Sequence, residues 1–502
     1  MAEPRRIVIV GGGITGLAAA HAVLARAREL QRTVSVTVLE SSGRFGGNLV
    51  TERVDGFLLD GGPDSWVASK PQASALAREL GLGDALIGTN PATRRFYVAH
   101  RGRLHVVPEG LVLGVPTKLG PLVRTNLFSW PAKLRMAIEP LIPARRAGKG
   151  GAAGEDESIA DFARRRLGRE AAELLVAPLL GGISAGDASD ISVRSAFPQL
   201  VAMEREHGSL VRGMLAARRA ARLAQEAVSP GGGPAAGSAF VSLPGGMGQL
   251  VDALVERLRS SGADLRLRAP VRRLGRAGEA WVLELEGGGG VAMADAVLLA
   301  VPAYAAARVT GLLDDALGAR LAAFRASSTA TVFLGYRRAE VAHPLDGVGF
   351  VVPRSAGQPV LAGTWVSSKW AHRAPQGHAL VRVFFGGPAA EPLLRGEDDA
   401  LVHGARAALR DLMGIEAEPV LARVFRFERA SPQMRIGHAR AVAELQACLA
   451  GTLAGVHIAG GGYEGIGIPD CIRQGTERGR ALVEASPPVT DGASRGGPDG
   501  EG

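Results

Sequence analysis

Three glycines and one acid carry the first chemical signal in the chain. Gly11, Gly13 and Gly16 stand in the spacing Gly-x-Gly-x-x-Gly, between the β-branched run Ile7 to Val10 and a stretch of helical composition that starts at Ile14. In that setting the first glycine permits a tight turn, the second lets the backbone approach a pyrophosphate, and the third lets the helix lie close to the sheet. The unpaired N–H groups and positive dipole end of such a helix favour an anion, with Gly12, Ile14 and Thr15 in the same turn. Glu40 closes a second apolar run, Val34 to Leu39, where its carboxylate can accept both hydroxyls of a ribose. The rival reading is a secretory signal, with basic residues ahead of an apolar stretch and Ala25-Arg26-Ala27 as a cleavage site. Glycines at those offsets would serve nothing in a removed peptide, so the dinucleotide reading is preferred.

The elements that must position this turn belong to a large protein. The chain has 502 residues, 46% of them hydrophobic, enough for about three domains or one interleaved unit with a sizeable core. No apolar run reaches the ~18 residues of a spanning helix; Leu174 to Ala185 comes nearest and is broken by Pro178 and glycines. Two cysteines, Cys448 and Cys471, form no disulfide framework and no metal-ligand spacing, and no HExxH is present, so a reducing compartment and no metal are expected. The net charge of +9 is carried almost wholly by arginine. It is compatible with an anionic membrane surface, an acidic substrate or a solvated surface. Without basic blocks interleaved with aromatics, nucleic acid is not expected as a partner.

Later segments extend the pattern. Gly46 and Gly47 follow the ribose acid and allow a second backbone approach to the phosphates, with Arg44 available as a cation. The runs Arg94 to Val98 and Arg103 to Val107 flank a hairpin signal. Residues 110–146 are apolar and Pro-punctuated, with Phe128, Trp130 and several cations. They suit either an anionic membrane interface or an internal helical cap over a pocket. Residues 148–157 read as a linker, Met203 to Leu223 as one helix, and 229–237 as a flexible break. Between Thr329 and Phe427 four separate β-type runs suggest an antiparallel sheet.

This order of motifs resembles the flavoprotein family that includes amine oxidases, phytoene desaturases and, most closely, oxygen-dependent protoporphyrinogen oxidases. The resemblance rests on Gly181-Gly182-Ile183-Ser184-Ala185-Gly186-Asp187, Phe197-Pro198 with Met203-Glu204-Arg205-Glu206-His207, Pro432-Gln433 with Gly437-His438, and Tyr463-Glu464-Gly465 with Asp470-Cys471-Ile472. It implies an α/β fold with inserted domains: a Rossmann-like FAD-binding domain built from discontinuous segments (1–87, 240–302, 439–485), an antiparallel-sheet substrate domain (303–438) and a mainly helical membrane-associating domain (88–228). A linker at 229–239 and a disordered tail at 486–502 complete the chain.

Carried over by position, the resemblance implies non-covalent FAD contacts from Gly11 to Gly16, Glu40, Gly62, Pro63, Asp64, Ser65, the main chain of Val271, Gly461, Ile466, Gly467 and Ile468. The helix starting near Ile468 would present N–H donors to the pyrimidine edge of a reduced flavin. Asp64 departs from the family, where asparagine is common. For a tetrapyrrole substrate the implied residues are Arg95 on a propionate, with Arg94 as the adjacent alternative, Gly182 facing the macrocycle, and Trp370 packed on a ring. No catalytic acid–base residue is implied: a meso carbon gives hydride to flavin N5, ring N–H groups lose protons, and molecular oxygen reoxidises the flavin to hydrogen peroxide. The expected activity is protoporphyrinogen IX oxidation in haem synthesis, with coproporphyrinogen III oxidation as the close alternative. A flavin amine oxidase is disfavoured because Ser328 to Phe333 contains no lysine. The resemblance also implies a homodimer and a cytoplasmic protein held peripherally on the inner face of the cell membrane.

Overall fold

The computed structural model describes residues 3–145, 156–182, 185–227, 237–288, 290–311 and 313–484. Most of the two expected linkers, the pair Ile183-Ser184 and the whole tail 486–502 lie outside the described residues. A wholly parallel five-stranded sheet runs in the order Asp264–Arg266, Val34–Leu39, Arg5–Val10, Ala296–Leu299, Val456–Ile458. Its strands come from three distant parts of the chain because both faces of the sheet must be covered. Ile7 and Ile9 point into a core with the helices Ile14–Glu29, Gly248–Ser260 and Ile468–Glu484. Val8 and Val10, on the alternate face, meet Leu274, Trp281 and Leu283 of a three-stranded antiparallel sheet. Each such fully buried aliphatic side chain contributes about 1.5–3 kcal/mol.

A second sheet has seven strands, in the order Leu421–Pro432, Ala326–Arg337, His378–Gly386, Val360–Trp365, Gly347–Val351, Arg95–His100, Arg103–Val106. Every neighbouring pair is antiparallel except Gly347–Val351 with Arg95–His100, which is parallel. The hairpin of the 88–228 segment therefore belongs to this sheet. One face is covered by the helix Asp398–Met413 through Leu401, Ala405 and Leu409. That helix is absent from the four-run reading, although its apolar residues recur at helical spacing.

The third region is helical. Met203 to Leu223 does not form one helix: Pro198–His207 ends where Gly208 takes φ +68°, and Leu210–Ala227 starts a new one. Ala172–Gly181 is a π-helix containing Pro178. Segment 110–146 is two-faced, with Leu122, Leu127, Phe128 and Met136 buried while Leu119, Trp130, Leu134 and Leu141 are 59–76% exposed. Among the described residues no helix is long and apolar enough to cross a membrane.

Candidate functional site

The glycine turn divides into positions the protein itself requires and one it does not. Gly11 has φ +105°, and a Cβ there would lie 2.5 Å from the Ala300 carbonyl oxygen; a Cβ on Gly16 would lie 1.9 Å from the carbonyl oxygen of Gly11. At Gly13 the nearest protein atom to a Cβ would be Gly47 Cα, at 3.9 Å. The space over Gly13 is thus open to a ligand, at the start of the helix Ile14–Glu29, whose first-turn N–H groups have no side-chain cap.

The second glycine pair meets the first. Gly46 N–H donates to the Gly12 carbonyl at 2.8 Å, and Gly13 bridges Gly46. The Arg44 side chain is turned onto its own loop. Its guanidinium donates to the carbonyls of Phe45 (3.2 Å), Gly47 (2.6 Å) and Leu49 (3.1 Å), which the left-handed turn at Gly46-Gly47 leaves unpaired. It braces the loop. Glu40 is buried and preset: Oε2 accepts from Gly12 N–H at 2.7 Å, and Oε1 from Ser42 N–H at 2.8 Å. Oε1 also accepts from Ser41 Oγ at 3.3 Å, and Oε2, with one donor, retains lone-pair capacity for a ribose hydroxyl. Ala269 N–H donates to the Glu40 carbonyl at 2.8 Å, which brings the strand from Val271 beside the acid.

The C-terminal part of the site depends on residues that the sequence reading missed. A Cβ on Gly475 would lie 2.3 Å from the Thr15 carbonyl oxygen and one on Gly479 2.5 Å from that of Ala19. These two glycines, one turn apart, let the helix Ile468–Glu484 press against Ile14–Glu29. Matching offsets mean the helices run parallel, and the start at Ile468 lies about 9 Å beyond the start at Ile14 at 1.5 Å per residue. Two helix N-termini aimed the same way, spaced along one seam, suit an extended anionic ligand. The spacing Gly-x-x-x-Gly in a helical stretch was the available signal. Asp470 accepts from Gly467 N–H at 3.3 Å and pairs with Lys70 at 2.6 Å, which fixes this helix start. Gln474 is buried, accepts from Gly460 N–H at 3.2 Å, and keeps an amide nitrogen with no partner among the described residues. Gly461 is open, its Cβ position meeting only Cys471 Sγ at 3.7 Å.

The turn Gly61–Ser65 continues the seam. A Cβ on Gly62 would lie 1.8 Å from the carbonyl oxygen of Asn48, which follows Gly47. The Gly61 carbonyl accepts from Thr331 Oγ1 at 3.0 Å and Arg382 Nη2 at 2.6 Å, both on the seven-stranded sheet. Asp64 accepts from Lys369 Nζ and Trp370 Nε1. Burial pushes its carboxyl up, but Lys369 and Arg382 outweigh it and hold the group well below the usual carboxylate range.

The implied substrate residues are not brought together. A Cβ on Gly182 would meet nothing within 4 Å among the described residues. Trp370 is 0% exposed, packed with Phe57, Phe333 and Leu380, and its N–H donates to Asp64. Along its strand Arg95 shares a face with Tyr97 and Ala99, under the helix Asp398–Met413, and it pairs with Asp346, which also accepts from Tyr97 Oη at 2.6 Å. Phe96 and Val98 occupy the other face, packed in the same core as Val176 and Leu180 of the π-helix that leads to Gly182. Arg94 precedes Arg95, is exposed, and donates Nε–H to the Pro91 carbonyl at 3.1 Å.

Residues 14–482 match the family of flavin containing amine oxidoreductases. A coproporphyrinogen III oxidase of Bacillus subtilis is 35% identical over 473 residues, 94% of this chain and 96% of that protein. Another, from Propionibacterium freudenreichii, is 35% identical across 97% of this chain and 92% of that protein. A crystal structure from Exiguobacterium sp. 255-15, described as a candidate protoporphyrinogen oxidase, superposes with TM-score 0.82 at 31% identity, covering 97% of this chain and all of that one. The open Gly13, the preset Glu40 and the paired helix starts fit FAD, the cofactor these comparisons support. The chain belongs to the flavin containing amine oxidoreductase family, within which it is a flavin-dependent porphyrinogen oxidase of haem biosynthesis.

Proposed function

We propose that this protein oxidises coproporphyrinogen III to coproporphyrin III. The observation that carries the choice is the 35% identity to coproporphyrinogen III oxidases across nearly the whole chain. It favours the alternative over protoporphyrinogen IX, the reading preferred from the sequence. Bound FAD supplies the hydride acceptor and is reoxidised by oxygen with release of hydrogen peroxide. The chain's own part is to hold and orient. Gly11 to Gly16 and Gly46-Gly47 seat the pyrophosphate in a Rossmann-like arrangement, Glu40 takes the ribose, and the Ile468 helix start faces the pyrimidine edge. Arg94, rather than Arg95, takes a propionate, because it alone of the two lacks a carboxylate partner among the described residues. Gly182 leaves room for the macrocycle.

Oxygen uptake by the purified protein tests this reading. A kcat/KM at least about tenfold higher for coproporphyrinogen III than for protoporphyrinogen IX supports it; the reverse order returns the assignment to protoporphyrinogen, the second reading favoured by the Exiguobacterium structure.

The reading includes a peripheral membrane contact on a cytoplasmic face, supported by the exposed Leu119, Trp130, Leu134 and Leu141 beside the exposed Lys118 and Arg124. Flotation with phosphatidylglycerol vesicles is expected for the native chain and lost in Trp130→Ser/Leu134→Ser; equal flotation of both leaves this surface without a lipid role.

A further inference from the structure

The seam between the two sheets contains a charge pair to which the FAD-seating geometry gives no task. Asp64 and Lys369 are 305 residues apart in the chain, and Nζ donates to both carboxylate oxygens, at 3.0 and 2.8 Å. Their side chains are 16% and 15% exposed. The carboxylate also accepts from Trp370 Nε1 at 2.9 Å and Ser65 Oγ at 2.7 Å, while the Asp64 carbonyl accepts from Ser242 Oγ at 2.7 Å. Lys369 ends the short helix Val366–Lys369, which follows the strand Val360–Trp365, so the pair ties the turn Gly61–Ser65 to the seven-stranded sheet.

The surroundings make the pair interdependent. Asp60 is buried and pairs with the buried Arg373 at 3.1 Å. The buried Arg382 holds the Gly61 carbonyl, and its Nε has no partner among the described residues. Three cations, Lys369, Arg373 and Arg382, thus face two carboxylates in a poorly solvated seam. Removal of one charge leaves a neighbour uncompensated where water screens poorly.

We propose that Lys369 is a positioning residue whose neutralisation of Asp64 fixes the turn Gly61–Ser65 against the reactive ring, so that the pair, and neither member alone, sets how readily the bound flavin is reduced. This rests on the FAD seat proposed above, taken on along the seam from Gly13 and Gly47 to the turn Gly62–Ser65, where the family resemblance implies a further contact with the cofactor. Reduced flavin gains negative charge, so unbalancing the pair in opposite senses must move its reduction in opposite senses. Asp64→Asn frees the positive charge of Lys369 and favours the reduced form. Lys369→Met frees the negative charge of Asp64 and disfavours it. Joint removal of both charges cancels the two effects.

The test is the flavin midpoint potential of the holoenzyme, measured by spectroelectrochemistry together with the FAD content of each preparation. Expected are shifts of roughly tenfold or more in the reduction equilibrium, upward for Asp64→Asn and downward for Lys369→Met, with the double variant returning towards the native value and Lys369→Arg staying within about twofold of it. Singles that shift the same way, or do not shift, overturn the proposal. A native protein that purifies without flavin and takes up none overturns the underlying FAD reading instead.

Discussion

Two buried charge networks in this molecule are built alike and finished differently. In the helical region Arg166 and Glu139 are both 0% exposed and paired with each other. Glu139 also accepts from Ser209 Oγ at 2.6 Å and from the N–H groups of Leu210 and Val211 at the start of the helix Leu210–Ala227. Arg166 spends further donors on the carbonyls of Ile142 and Gly208. That network locks the helix start to the segment 139–142 and runs on through Glu204, which Arg166 faces at 3.4 Å, to Arg165, with no buried side-chain atom of Arg166 or Glu139 left without a partner. The seam network of Asp60, Asp64, Lys369, Arg373 and Arg382 keeps loose ends: an unpartnered Arg382 Nε and a partly exposed Asp64–Lys369 pair. A network whose buried atoms are all partnered serves stability, whereas one with an unpartnered buried nitrogen has capacity left for a ligand.

The sharpest way to break this contrast is Arg166→Met. It leaves a buried, uncompensated Glu139 and should cost about 3–5 kcal/mol. Denaturant unfolding would show a lowered midpoint, while the fraction that remains folded keeps its FAD affinity. Retained stability would remove the distinction. Gly475→Ala comes next. Alanine normally stabilises a helix, but here its Cβ would sit 2.3 Å from the Thr15 carbonyl oxygen and force the two helices apart. FAD affinity of the apoprotein should fall about tenfold, at an overpacking cost of about 1–3 kcal/mol. Unchanged affinity would detach the paired helix starts from the cofactor.

A smaller effect separates the two arginines at the head of the strand Arg95–His100. Arg94→Ala should raise KM for coproporphyrinogen III several-fold with kcat little changed, and Arg95→Ala should not; the opposite result restores Arg95 as the propionate ligand. The smallest effect concerns pH. Burial lowers the His438 pKa below its ordinary value, against the raising influence of its hydrogen bond with the Tyr463 carbonyl. The unfolded chain binds a proton below about pH 6.5 that the folded chain refuses, so stability falls as pH drops from 7.5 through 6.5. His438→Gln should flatten that slope in thermal melts at pH 7.5 and 5.5.

What could be read from the sequence was what is local. Gly11, Gly16 and Glu40 do their work within one strand–turn–helix–strand unit, so spacing sufficed. Motifs that carried the family resemblance proved to be junction contacts: Glu204 pairs with Arg165, and His438 holds the Tyr463 carbonyl. These two residues identify the fold without lining the site. Gly475 and Gly479 were missed because the demand for them comes from a helix more than 450 residues earlier in the chain. The Asp64–Lys369 pair was missed for the same reason, and Asp64 alone looked like an exception. The surroundings of Trp370 and Arg95 were not legible because a position in a motif does not state which face of a sheet a side chain takes.

One flavin seat, assembled from the turns at Gly13, Gly47 and Gly461, is expected to take reducing equivalents directly from a porphyrinogen. Anaerobic mixing of the purified holoprotein with coproporphyrinogen III tests it most directly. The oxidised-flavin absorbance is expected to bleach and to return when oxygen is admitted, with coproporphyrin III formed. A flavin band that stays oxidised in the presence of excess substrate contradicts it.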